Sequence, residues 1–341
     1  MLKKIFAKVI LVIAGFCVAI LLAEVFVRIF YPECRDHVLP SGLYETDNYL
    51  GWKLAEDKSG NHHSKYFDVN YRTNSLGFRD KERLLQKDQN KFRILLYGDS
   101  QVFGWGIPAE DRFSNLLEKS LSNVEIWNLA IPAYGLDQQV LLYQKDAVDA
   151  NVVIFYVSEY TLKRINYNYL YQKSKPQFVI DDSKYLKVKP PEVPGVIGSL
   201  VNGAVRWMYL PFFLEERISM FNGKPEVAGH VIKSVIDDKS NVTELEGRIL
   251  LFAQKLTNSR NEHMIILLNS YSIKGKSIRD FCLKNGISYL DINFNEKKDS
   301  LILGSKDFHW NNEANEIIFR HIMPEMKQLI EEKSKPDYLG N

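Results

Sequence analysis

The hydrophobic pattern divides the chain into three regimes. The first is continuous: after the basic start Met1-Leu2-Lys3-Lys4, residues 9–23 form a charge-free apolar run of 15, about 22 Å long as a helix. That is short for a bilayer core of about 30 Å. The span closes if residues 5–31 are all helical and Lys8, Glu24 and Arg28 snorkel toward the two interfaces. The second regime, residues 32–91, is polar and turn-rich and predicts a β-rich lead-in. Within it, Asn74-Ser75-Leu76-Gly77-Phe78-Arg79-Asp80 reads as a turn with Gly77 at positive φ.

From Phe92 onward compact apolar runs alternate with segments of helical spacing. Residues 93–97, 124–129, 151–157, 263–268 and 287–290 predict buried strands, and residues 109–121, 136–150, 242–259, 278–285 and 312–332 predict helices. Strands separated by helices imply an α/β domain, residues 92–333, with a parallel sheet covered on both faces. The pattern breaks at residues 160–241, which carry Pro190-Pro191, Pro194 and several tyrosines. This stretch reads as an insertion, with the apolar patch of residues 208–214 expected to pack against the core. Tyr160, Tyr167, Tyr169 and Tyr171 are expected to pack at its base. Residues 334–341 read as a tail.

The remaining bulk properties narrow the partners. With Lys3, Lys4 and Lys8 ahead of the apolar run, an uncleaved anchor in residues 1–31 places the N-terminus in the cytoplasm and the rest in the periplasm or outside the cell. A cleaved signal peptide is the competing reading, but no small-residue cleavage site stands out after Ala23. Lipidation of Cys17 is disfavoured by Phe16 ahead of it. A net charge of +2, with no Lys/Arg-dense run, argues against nucleic acid as a partner. Cys17, Cys34 and Cys282 are too few and scattered for a disulfide framework or a metal cluster, though a Cys34–Cys282 bond is left open. His62-His63 reads as a solvated loop, not a metal pair.

Ligands of open parallel sheets bind beyond the carboxyl ends of the strands. Two segments there carry chemistry. The first predicted sheet strand ends in Gly98-Asp99-Ser100-Gln101-Val102-Phe103-Gly104-Trp105-Gly106, which puts a serine on a Gly-rich turn at the sheet rim. By itself it reads more readily as a helix N-cap. A serine nucleophile needs a base, and the base needs an orienting acceptor. Asp307-Phe308-His309-Trp310-Asn311, expected as a loop on the same rim, offers both: a carboxylate two residues before a histidine can accept from Nδ1–H and leave Nε2 for the serine.

Gly98-Asp99-Ser100 followed by Asp307-x-His309 resembles the SGNH/GDSL hydrolase family. The likeness extends to Asn128-Leu129-Ala130-Ile131-Pro132-Ala133-Tyr134-Gly135, and the segment Asn74 to Arg79 looks like the lead-in of membrane-anchored members. The resemblance implies a flavodoxin-like three-layer sandwich and a Ser-His-Asp mechanism with no cofactor and no metal. It implies Ser100 as nucleophile, His309 as general base, Asp307 as its orienting carboxylate, and an oxyanion hole from Ser100, Ala133 and Ser158. Two positions depart from the family's pattern. Ala133 stands where a glycine is usual, and Ser158-Glu159 where an Asn-Asp pair is usual. Asn128 is a further candidate for polar support. The Asp-to-His spacing is one residue shorter than the commonest form and matches that of polysaccharide-modifying members. The expected activity is an esterase or O-acyltransferase acting on an ester, such as O-acetyl, of an extracytoplasmic polysaccharide or lipid. The alternative is a membrane-tethered binding or assembly component that keeps the fold with little or no activity.

Overall fold

A computed structural model describes residues 2–35, 38–146, 148–170, 173–192, 208–221, 241–295, 298–305 and 307–334. The chain forms two compact units, one of Met1–Leu39 with Pro194–Val235 and one of Pro40–Val193 with Ile236–Asn341.

The first unit is helical. Its helix Leu2–Phe30 has 29 residues, about 43 Å at the helical rise. The stretch Lys3–Phe30 is the one described helix long and apolar enough to cross a membrane. Glu24 does not snorkel as expected. It is buried, binds Arg28 Nε at 2.6 Å, and accepts the amides of Tyr209 and Leu210 at 2.8 Å each. Those amides open a second helix, Leu210–Phe221, whose orphan N–H groups need such acceptors. The ring of Phe213 lies 4.8 Å from that of Tyr31. The patch of residues 208–214 packs on the apolar N-terminal helix of its own unit. Neither Cys34 nor Cys282 is in a disulfide, so the bond left open between them is not made.

The second unit is built on five parallel strands. They are β1 (Phe92–Tyr97), β2 (Val124–Asn128), β3 (Val152–Val157), β4 (His263–Leu268) and β5 (Ser288–Asp291). Their spatial order is β5-β4-β3-β1-β2, the flavodoxin-like order read from the other edge. Every residue of β1 and β3 is buried, as expected of strands covered on both faces. Helices Phe113–Ser120 and Asn312–Lys333 pack together, and so do Leu136–Lys145 and Glu244–Ser259. The expectation of an α/β sandwich with a parallel sheet holds. The expected helix over residues 109–121 is a short 3-10 turn, Ala109–Asp111, followed by Phe113–Ser120. The helix expected from 278 begins at Ile273, capped by Ser272, whose side chain accepts the Gly275 amide.

The lead-in forms two hairpins, Tyr44–Asp47 with Gly51–Leu54 and Ser59–His63 with Asp68–Arg72. Gly77 takes φ of 77° in the turn that follows. Within the insertion, two small hairpins precede Glu192. Tyr169 is exposed rather than packed, and Tyr171 lies outside the described residues.

Candidate active site

The topology turns around between β1 and β3, and in such sheets the ligand crevice opens there. Ser100 follows β1 and Ser158 follows β3. Ser100 opens the helical turn Ser100–Phe103, but it is not the N-cap. Asp99 holds that position, its carboxylate accepting the Gln101 amide at 2.9 Å. Its other oxygen binds Arg164 Nη1 at 2.7 Å. The capping task thus falls to the neighbour, and the Ser100 hydroxyl lies 2.8 Å from His309 Nε2. On the far side of the ring, His309 Nδ1 is 2.6 Å from Asp307 Oδ1. Asp307 is buried at 2% exposure, where a carboxylate interacts more strongly with its partner than it would in water. A carboxylate can only accept here, so Nδ1 carries the proton and Nε2 is left to accept from Ser100. Ser100 and His309 are 209 residues apart in sequence.

Asp307–Trp310 is a strand, not the expected loop. It pairs antiparallel with Ile302–Gly304, and burial of Ile302 and Trp310 gives that hairpin an apolar anchor under the imidazole. Trp105 lies over the His309 ring at 5.2 Å between centroids and 24° between planes. Behind Trp105 stands His62, edge-on at 4.8 Å. His62 is therefore a buried member of an aromatic cluster with Phe67 and Tyr71, not the solvated residue expected. The edge of an imidazole packs well against a ring face. Only His63 is exposed.

The turn that carries Ser100 is braced from outside the sheet. Arg79 donates to the carbonyls of Phe103 (3.0 Å), Gly104 (2.6 Å) and Ile107 (2.7 Å). These carbonyls lie at the end of a short helix and in the loop after it, where few helical partners are offered. Phe103 and Gly104 each have one long further bond, from Arg112 Nη1 and the Ile107 amide, both at 3.4 Å. Burial, and then the nearby charge of Arg112, pull the Arg79 guanidinium down to about 9. Its plane also lies over the Tyr71 ring at 4.3 Å. Arg79 comes from the lead-in turn whose shape the sequence announced, but its destination was not legible there. Asn128 is a brace as well: its Nδ2 donates to the Val102 carbonyl at 2.8 Å and to Ser114 Oγ at 3.0 Å.

Ala133 has φ of 68°, the left-handed region that a glycine would occupy without strain. The preceding carbonyl, Pro132, accepts from Trp52 Nε1 at 3.3 Å. Ser158 is buried and caps the helix Glu159–Lys163, its Oγ accepting the Thr161 amide at 3.3 Å. An oxygen that accepts in this way keeps its own O–H as a donor.

No family model and no curated protein matches the sequence. Among solved structures, the chain is similar to a member of the lipolytic protein G-D-S-L family from Veillonella parvula, with TM-score 0.39 and 10% identity over 70% of this chain and 99% of that one. It is also similar to a GDSL-like lipase from Bacteroides thetaiotaomicron, with TM-score 0.36 and 9% identity over 72% and 93%. A family 3 carbohydrate esterase from Clostridium thermocellum gives TM-score 0.35 and 8% identity over 70% and 98%. These scores are low, and the chemistry of the site rests on its own distances.

Proposed function

We propose that this protein is a serine esterase or O-acyltransferase of the SGNH/GDSL type, tethered to a membrane by the helix Leu2–Phe30 with its catalytic domain on the extracytoplasmic side. The observation that carries the reading is the line Ser100–His309–Asp307, with separations of 2.8 and 2.6 Å. Ser100 Oγ attacks the ester carbonyl while His309 Nε2 takes its proton. The imidazolium that forms is held by Asp307. The carbonyl oxygen, now negative, is met by the amides of Ser100 and Ala133 and the hydroxyl of Ser158. Collapse expels the alkoxide, which leaves with the proton from His309. Water, or a sugar hydroxyl, then attacks the acyl-enzyme in the same manner, and Ser100 recovers its proton. An O-acetyl group on a polysaccharide or lipid fits a site outside the cytoplasm beside a membrane.

A second reading is a binding or assembly component with little activity. It is favoured by Ser158, whose oxygen is engaged in capping its helix where an amide donor is usual. A fluorophosphonate probe followed by a panel of acetyl and long-chain esters separates the two. Labelling that vanishes in Ser100→Ala, with ester cleavage lost in the same variant, supports the enzyme. A folded protein that takes no label and cleaves no ester supports the scaffold, and acetyl release independent of Ser100 and His309 removes the mechanism.

A further inference from the structure

The strand that carries His309 has one edge paired and one edge closed by a side chain. Toward Ile302–Gly304 it is part of a hairpin, and the Asn311 amide just past the strand reaches the Leu301 carbonyl at 3.2 Å. Backbone groups of successive residues in a strand point to opposite edges, so the Trp310 amide and the Phe308 carbonyl face the other way. Both meet one residue. Gln101 Nε2 donates to the Phe308 carbonyl at 3.2 Å, and Gln101 Oε1 accepts the Trp310 amide at 2.9 Å. The partners fix which end of the amide is nitrogen, since one is an acceptor and the other a donor. A single side-chain amide therefore occupies the place of a neighbouring strand's peptide, on either side of His309.

We propose that Gln101 is a positioning residue that fastens the base to the nucleophile. It rests on the reading of Ser100 and His309 given above. Gln101 is bonded covalently to Ser100, and its side chain grips the residues before and after His309. The nucleophile and base are thereby linked through a small closed ring, rather than only through a helical turn and a strand that meet across 209 positions of sequence. The Ser100–His309 hydrogen bond alone would hold them weakly, since a typical net contribution is about 1 kcal/mol. Two further bonds in fixed geometry narrow the orientations the imidazole can take, and reaction rates depend steeply on such placement. Gln101 touches neither substrate nor the proton in flight. Its effect is on the fraction of time the base is aimed.

The test compares the full-length protein with Gln101→Met and Gln101→Glu. Methionine keeps the side-chain length and removes both bonds. Glutamate keeps the acceptor for Trp310 and sets an oxygen against the Phe308 carbonyl. Gln101→Met is expected to lower kcat about 10- to 100-fold with KM changed less than about twofold, and Gln101→Glu to fall between it and the wild type. Independently of any substrate, hydrogen exchange at the Trp310 amide is expected to quicken at least about tenfold in Gln101→Met, with β3 amides unaffected. Wild-type exchange at Trp310 in Gln101→Met overturns the clamp. So does wild-type kcat, or a loss of kcat matched by a collapse of melting temperature and a rise in KM. Ester cleavage that survives Ser100→Ala would instead sink the mechanism, and the Trp310 exchange would still decide the clamp.

Discussion

The indole Nε1 of Trp52 donates to the carbonyl of Pro132 at 3.3 Å, and the amide of Ala133 belongs to the same peptide plane. In a trans peptide the C=O and N–H point in opposite directions. Holding the carbonyl toward Trp52 therefore fixes the Ala133 N–H, the proposed oxyanion donor, to point away from the indole. Trp52 is buried in the second strand of the first lead-in hairpin. Its ring also meets Tyr134 edge-on at 5.6 Å.

Trp52→Phe keeps an aromatic ring and removes the donor. Losing an oxyanion donor outright lowers rates by about two to three orders of magnitude, and loosening one should do less. The expected outcome is a kcat reduced about 3- to 30-fold with KM nearly unchanged, read on the best ester from the substrate panel. An unchanged kcat in a well-folded variant would mean that the peptide needs no such support.

Ala133 itself carries a conformational penalty. Left-handed backbone costs an L-residue roughly 1–2 kcal/mol, while glycine loses up to about 1 kcal/mol through its freer unfolded state. Ala133→Gly should therefore raise stability in urea by about 0.5–1 kcal/mol, the difference between those effects. Ala133→Val should lower it, because a β-branched side chain is less tolerated still at φ of 68°. A destabilised glycine variant would show that the native loop holds Ala133 without strain.

Lys175 and Asp137 are a buried ion pair with both side chains at 0% exposure. Lys175 Nζ also donates to the carbonyls of Tyr167 (3.2 Å) and Pro176 (3.0 Å). Burial pushes the Asp137 carboxyl up and Lys175 pulls it back. Breaking one partner leaves the other charge buried alone, so Lys175→Met should destabilise by about 3–5 kcal/mol. Replacing both, Lys175→Met with Asp137→Leu, should recover much of that loss. Chemical denaturation of the three variants checks it, and equal losses in the single and double variants would exclude the pair as the cause.

What the sequence made legible follows from range. The strands of the sheet were readable because β3 is apolar throughout and β1 is apolar but for Arg93, and periodicity is a local property. Ser100, His309 and Asp307 were readable because each sits in a short motif of fixed spacing. Bonds that join distant segments were not. Nothing local to Arg79 says that it will reach the carbonyls past Phe103. Nothing around His62 says that it will pack under Trp105, since a polar residue beside exposed His63 looks solvated. The strand at Asp307–Trp310 reads as a loop in the sequence because its partner, Ile302–Gly304, is only three residues long and its other edge is closed by Gln101. Such a strand has too short a pattern to show alternation. Gln101 lies within the serine motif, yet its partners are backbone groups more than two hundred positions away.

Two half-buried titrating groups give opposite pH slopes. Asp146 is pushed up to about 6 by burial, against the nearby charge of Lys145. Its folded value lies above its unfolded value of about 4, so the folded state binds the proton more tightly. The stability this confers is full below pH of about 4 and is lost as pH rises through about 6. Asp146→Asn removes that loss and should raise the melting temperature at pH 7–8 more than at pH 4. His263 is pulled down to about 4 by burial and by the charge of Lys333. There the unfolded state binds the proton first, so stability falls as pH drops from about 6.5 toward 4. His263→Gln should flatten the acid side of the curve, where Asp146→Asn steepens it. Melting curves of the wild type and both variants between pH 4 and 8 measure these slopes. Two variants shifting the profile in the same direction would contradict the burial assigned to one of the two side chains.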